Sequence, residues 1–215
     1  KSRLILLLIV FTLLPFALLR IIAYPRIQKD LQEVLMRNLD GIGHKQAELV
    51  TNWVQERAKN ARVIANNPLM AKYAKITKDD KDYMDVVQYL EVVRNEYGFK
   101  GVFISNDKGV VTVATAGENL GGDVSQTDYF REAMQGRGYV SDIIPSEIPL
   151  INELGEKEIG MPTMFVSTPL RDRDGVALGV VTLRVDVNTL NELLLSLNLG
   201  KTGETYLVNK DGFMI

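Results

Sequence analysis

The chain has 215 residues, 46% of them apolar, enough for a packed core in one or two domains. Its 25 basic and 27 acidic side chains leave a formal charge of −2, so it lacks the basic surplus of a nucleic-acid binder. There is no cysteine, which excludes disulfides, thiolate metal sites and cysteine nucleophiles.

The first element is an uncharged run from Leu4 to Leu19, LILLLIVFTLLPFALL, flanked by Lys1 and Arg3 before it and Arg20 after it. As a helix it covers about 24 Å, and about 30 Å when continued through Tyr24 with Arg20 snorkelling, one membrane crossing. The competing reading is a cleaved signal peptide, but no small-x-small pattern precedes Tyr24-Pro25-Arg26, so an anchor is expected. Lys1 and Arg3 are opposed by Arg20, Arg26 and Lys29, so charge does not fix the orientation. The chain starts with Lys rather than Met and stops in what reads as an opening strand, and it is therefore expected to be a fragment of a longer protein.

From Arg26 to about Asn66 the residues Ile27, Leu31, Val34, Leu35, Leu39, Ile42, Leu49, Trp53, Val54, Ala61 and Ile64 fall mostly three or four apart. That spacing predicts one amphipathic stalk helix about 60 Å long. Such a helix outruns a small domain, so part of its stripe calls for a second copy. Gly41 and Gly43 predict a bend or a close helix crossing. His44 and Trp53 are read as packing or interface residues before ligand contacts. Asn66-Asn67-Pro68 breaks the chain, and a second helix is predicted over roughly Lys81–Tyr97 with Met84, Val87, Leu90 and Val93 or Arg94 on its stripe.

After Gly98 the pattern changes to strands, with turn signals at Asn106-Asp107-Lys108-Gly109, Gly121-Gly122-Asp123 and Asp172-Arg173-Asp174-Gly175. Two hairpins, a strand near Tyr139–Ile144 and a short helix near Tyr129–Met134 give a five-stranded α+β module of the PAS-like kind, its sheet packed on helices over one face. VFISNDKGVV from Val102 aligns with TYLVNKDGFM from Thr205, placing Asn106 on Asn209 and Gly109 on Gly212. The repeat points to a second, related module opening near Gly200, although any two strand-Asx-Gly-strand turns look alike. The expected organisation is a transmembrane anchor over 1–25, the stalk and second helices over 26–97, a PAS-like module over 98–199 and the start of another over 200–215.

Catalytic and metal motifs are not found. Gly200-Lys201-Thr202 lacks the glycine five residues earlier that a phosphate loop needs, that place being Leu195. One histidine allows no metalloprotease pair, and the Asp-rich turns lack the calcium-loop register. No nucleophile is paired with a base. No cofactor, no metal and no enzyme activity are expected within these residues.

One stretch is informative: Asp123-Val124-Ser125-Gln126-Thr127-Asp128-Tyr129-Phe130-Arg131-Glu132-Ala133, followed by Gly136-Arg137-Gly138-Tyr139-Val140-Ser141-Asp142. An aromatic pair and an Ala open a short helix, and a Gly-x-x-x-Val-Ser-Asp run enters the next strand. With the strand GVALGVVTLRVDV, the helical Thr189–Leu193 after it and the Gly-Lys-Thr-Gly-Glu-Thr-Tyr-Leu-Val opening, the chain resembles the double Cache sensors over nearly its whole length. The resemblance implies the extracytoplasmic, usually dimeric sensor of a bacterial inner-membrane receptor, its domain periplasmic or extracellular. In such receptors the membrane-distal module binds a small molecule and a downstream histidine kinase, chemoreceptor or cyclase part responds. Members that bind amino acids hold the ligand carboxylate with an Arg two residues before the aromatic pair, and its ammonium with a later Tyr and an Asp. This chain has Thr127 in the place of that Arg, which removes the bidentate clamp.

A pocket on such a sheet needs an apolar wall and a few convergent polar groups. Tyr129, Tyr139 and Met164 are the candidate wall; Arg131, Asp142, Ser167 and Asp186 are the candidate polar groups for an organic acid, amino acid or amine. Each has a structural alternative: Tyr129 or Phe130 as core, Asp142 as a strand end, Asp186 as the cap of a helix beginning near Asn188. The insert from Ile144 to Lys157 reads as a pocket-side loop or lid. The rival readings are a module that only dimerises or binds a periplasmic protein partner, and a tethered enzyme with its catalytic residues beyond Ile215.

Overall fold

A computed structural model of the chain describes residues 2–115, 117–152, 154–195 and 205–208. The expected start of a second module over 200–215 lies outside them apart from 205–208, as do Asn209 and Gly212 of the repeat. The chain divides into two units, Lys1–Glu48 and Leu49–Ile215.

The first unit is helical. Helix α1 (Ser2–Leu18) passes into a π-helical turn (Leu19–Ala23), and α2 (Tyr24–Ala65) begins there and ends in the second unit. The wide turn falls where Pro25 would deny Ile21 its α-helical hydrogen bond, and the Tyr24 N–H donates to Leu19 O instead. Apolar side chains point outward all round α1: Leu7, Leu8, Phe11, Leu13 and Phe16 are each at least 60% exposed, which no water-facing helix tolerates. Among the described residues the continuous helix Leu7–Ala65, which includes most of α1, is the one long and apolar enough to cross a membrane. Among the described residues no element crosses α2 at Gly41 or Gly43. The helix runs through both, and a Cβ at either would touch nothing. His44 is exposed.

In the second unit the end of α2 buries Trp53, Ala61, Ile64 and Ala65. A short helix missed in the sequence, α3 (Pro68–Tyr73), follows: Asn67 Oδ1 accepts from Leu69 N at 3.1 Å and Pro68 fills a first-turn position that needs no N–H. Helix α4 (Tyr83–Tyr97) buries Tyr83, Val86, Leu90 and Val93, a stripe set one residue earlier than the predicted Met84 and Val87, and Met84 faces solvent. Gly98, at φ +69°, adopts the left-handed conformation that stops the helix and turns the chain into the sheet.

The antiparallel sheet has the order β2-β1-β8-β7-β3, built from β1 (Phe99–Asn106), β2 (Val111–Ala114), β3 (Tyr139–Val140), β7 (Pro162–Arg171) and β8 (Ala177–Asp186). A sixth strand, β4 (Ile144–Pro145), also pairs with β7, while β5 (Leu150–Ile151) and β6 (Lys157–Glu158) form a separate hairpin within the insert. Alternation along the strands sorts side chains between two faces. Val102, Ile104, Met164, Val166, Leu170, Val181, Leu183 and Val185 pack with the helical core. Phe103, Phe165 and Val180 point the other way, where α5 (Asp128–Met134) lies. Both faces are therefore covered over β7 and β8, which explains eight consecutive buried residues in β7 and corrects the expectation of a sheet packed on one face.

Candidate ligand cleft

The face opposite the helical core carries a cleft of about 320 Å³, within the usual range for small-ligand sites. Its wall is aromatic. The Tyr129 and Phe165 rings stack at 4.6 Å, and Phe103 meets each edge-on at 6.2 and 6.5 Å. Tyr139, Val111, Val124, Ile144, Pro145 and Ile148 complete the lining.

Beneath the rings lies a buried ion pair. Register places Gly101, Arg184 and Phe165 side by side across β1, β8 and β7. Arg184 stacks its guanidinium 4.5 Å above the Phe165 ring. Its Nε donates to Glu118 Oε1 at 2.6 Å and its Nη2 to Oε2 at 3.0 Å, a fork-to-fork pair whose side chains are only 7% and 3% exposed. Nη1 points to the buried Ser146 Oγ at 3.5 Å. Gly101 makes this possible, because a Cβ there would collide with the Glu118 carboxylate.

Four more carboxylates reach the cleft: Asp123, Asp128, Asp142 and Glu147. Asp123 accepts from Ser125 N at 2.8 Å, which holds its carboxyl below the usual aspartate range. Asp128 is paired with the exposed Arg131. The carboxylates of Asp142 and Glu147 have no hydrogen bond or ion pair among the described residues; the Asp142 backbone carbonyl accepts from Ser141 Oγ at 2.7 Å. Burial raises the pKa of the Tyr129 and Tyr139 phenols; at Tyr139 the charges of Asp128, Asp142 and Glu132 raise it further. Both phenols stay neutral and can donate or accept.

The structure thus brings Tyr129, Tyr139 and Asp142 to one cleft and places the other four candidates elsewhere. Met164 is 4% exposed in the helical core, one residue out of phase with Phe165. Ser167 lies on the cleft's face of β7, but its Oγ donates to Tyr129 O at 2.6 Å and so ties α5 to the sheet. Arg131 lies outward on α5 with Asp128. Asp186 faces Lys100 at 2.9 Å and accepts from Asn188 N at 3.0 Å, capping α6 (Asn188–Leu195). The insert divides: Ile144, Pro145, Glu147 and Ile148 line the cleft, while β5 and β6 do not. Glu118, Arg184 and Phe165 were missed from the sequence. Arg184 had left a signal, a lone charge inside the apolar strand GVVTLRV in a phase opposite to Leu183 and Val185.

A sequence model described as the Cache domain, in its double form, matches residues 27–215. The chain belongs to the Cache domain family. Among solved structures, the Cache fold of this chain resembles the ligand-binding domain of the Campylobacter jejuni chemoreceptor Tlp3 in complex with L-valine, at TM-score 0.65 and 15% identity, over 88% of this chain and 73% of that one. It also resembles the ligand-binding domain of the Pseudomonas aeruginosa amino acid chemoreceptor PctB in complex with L-Arg, at TM-score 0.61 and 20% identity, over 85% and 70%. The sensor domain of the Vibrio cholerae histidine kinase DctB aligns at TM-score 0.58 and 11% identity, over 74% and 59%. At these identities the likeness is one of fold. No curated protein matches the chain.

Proposed function

We propose that this Cache domain is the extracytoplasmic ligand-sensing part of a receptor in the cell inner membrane. A small molecule enters the cleft of the second unit, and a conformational signal passes to the membrane. The observation that carries the reading is the cleft itself: a ring-lined hollow whose floor is a buried, fully bonded Glu118–Arg184 pair and whose rim holds the free carboxylates of Asp142 and Glu147. The relatives named above support it, since chemoreceptor domains of the same fold are described with L-valine and L-Arg bound. Sensing, not catalysis, is the activity inferred.

The apolar helix α1 supports membrane insertion, with the sensor domain on the periplasmic or extracellular side. The exposed stripe Ile27, Leu31, Val34, Leu35 and Leu39 on α2 supports a homodimer joined through the stalk. Signalling then requires only that the ligand bind one of two packings better than the other, with a coupling of about 1–3 kcal/mol.

The test is a thermal-shift screen of the full chain in detergent micelles against amino acids, amines and carboxylates. A ligand at one hundred times its dissociation constant adds about 2.7 kcal/mol to the native state. A specific stabilisation that Tyr139→Ala removes supports the sensor. No shift with any class would favour a second reading, docking of a protein partner. For that reading the insert hairpin offers Ile151, Leu154 and Ile159, all more than half exposed.

A further inference from the structure

We propose that the cleft selects a small organic ammonium ion and turns away ligands that carry a carboxylate. This rests on the reading of the cleft as the ligand site. Arg184 is the one basic residue among the described residues that line it. Its side chain is only 7% exposed, its side-on fork of Nε and Nη2 is taken by Glu118, and Nη1 is aimed at Ser146. An incoming carboxylate therefore finds the side-on fork occupied and the group buried, and drawing Arg184 toward it would strip the buried Glu118 of its partner.

With that pair internally neutral and Asp128 held by Arg131, the remaining charges around the cleft are Asp123, Asp142 and Glu147, all acidic. They line the same cleft as the rings of Tyr129 and Tyr139, while Phe165 is already stacked by Tyr129 and by the Arg184 guanidinium. Negative rim, aromatic faces and neutral phenol and hydroxyl acceptors are the recognition chemistry of an ammonium group. The Glu118–Arg184 pair acts here as a specificity determinant. It engages the one guanidinium among the described lining residues that could clamp a carboxylate.

Isothermal titration of the full chain in micelles with a matched set separates the possibilities: n-butylamine, γ-aminobutyrate and butyrate, with tetramethylammonium and a diamine as further cations. The expected result is that a cation binds at least tenfold more tightly than γ-aminobutyrate and butyrate. Its affinity should weaken as salt is raised and fall roughly threefold to tenfold in each of Asp142→Asn and Glu147→Gln, the loss expected of a screened ion pair. Both variants neutralise exposed side chains, and an unchanged melting temperature confirms their folding. Equal or tighter binding of γ-aminobutyrate or butyrate would overturn the charge rule and leave the sensor reading standing. So would cation binding that neither variant alters. No binding by any compound to the folded chain would overturn both.

Discussion

Glu118 and Arg184 hold each other through two short hydrogen bonds in the space that Gly101 leaves, so each is worth most when the other is present. Glu118→Ala strands a buried guanidinium and is expected to lower stability by about 3–5 kcal/mol. The double replacement Glu118→Leu with Arg184→Met should cost far less than the sum of the two single changes, the mark of a coupled buried pair in a denaturant-melt double-mutant cycle. A single-change sum would show that the two groups act independently. Gly101→Ala should reproduce much of the Glu118→Ala loss, because its methyl occupies the carboxylate's place. The sequence displayed Arg184 as a charge out of phase with its apolar neighbours. It could not display Glu118, which lies 66 positions earlier in an irregular stretch and meets Arg184 only through tertiary folding.

At the scale of elements, the long helices and the hairpins β1–β2 and β7–β8 were legible because local chemistry writes them. Asn106 Oδ1 accepts from Lys108 N and Val110 N, Asp172 Oδ1 accepts from Asp174 N and Val176 N, and Gly109 and Gly175 supply the positive φ each turn needs. The register across the sheet was not legible, since a one-residue shift exchanges its faces and only long-range packing fixes it. Met164 was accordingly assigned to the cleft when Phe165 fills it. Helix α5 is tied down at one point by Ser167, and Ser167→Ala should cost about 1 kcal/mol of stability and loosen Tyr129, seen as faster amide exchange in α5. The loop between α3 and α4 gives a pH dependence. Asp80 accepts from Thr77 N at 2.7 Å and Thr77 Oγ1 at 2.8 Å, which lowers its pKa. A carboxyl lowered in the folded state stabilises above the unfolded aspartate value and loses that contribution as pH falls through its folded value, here from about pH 4 downward. Asp80→Asn should flatten that part of the acid-denaturation curve; an unchanged curve would exclude the loop as its source.

For the whole molecule, the decisive sequence signals were global: a charge-free opening run, a helical stripe too long for one domain, then turns spaced for an antiparallel sheet. They carried the Cache assignment although each motif was short. The stalk makes its own prediction. Leu31→Glu with Leu35→Glu should weaken self-association in micelles at least about hundredfold, roughly 3 kcal/mol, by sedimentation velocity. A dimer of unchanged strength would place the contact elsewhere.

The wide turn at Leu19–Ala23 has a consequence for how the stalk is aimed. A π-turn carries one residue more than the α-turn it replaces, and one residue on a helix is about 100° of azimuth. It therefore acts as a phase shifter between the apolar helix α1 and the start of the stalk, within one continuous backbone. Opening or closing that single turn would rotate the stripe Ile27–Leu39 by more than a quarter revolution without sliding either helix along its axis. Pro25, which cannot donate the α-helical bond to Ile21, keeps the shifter engaged.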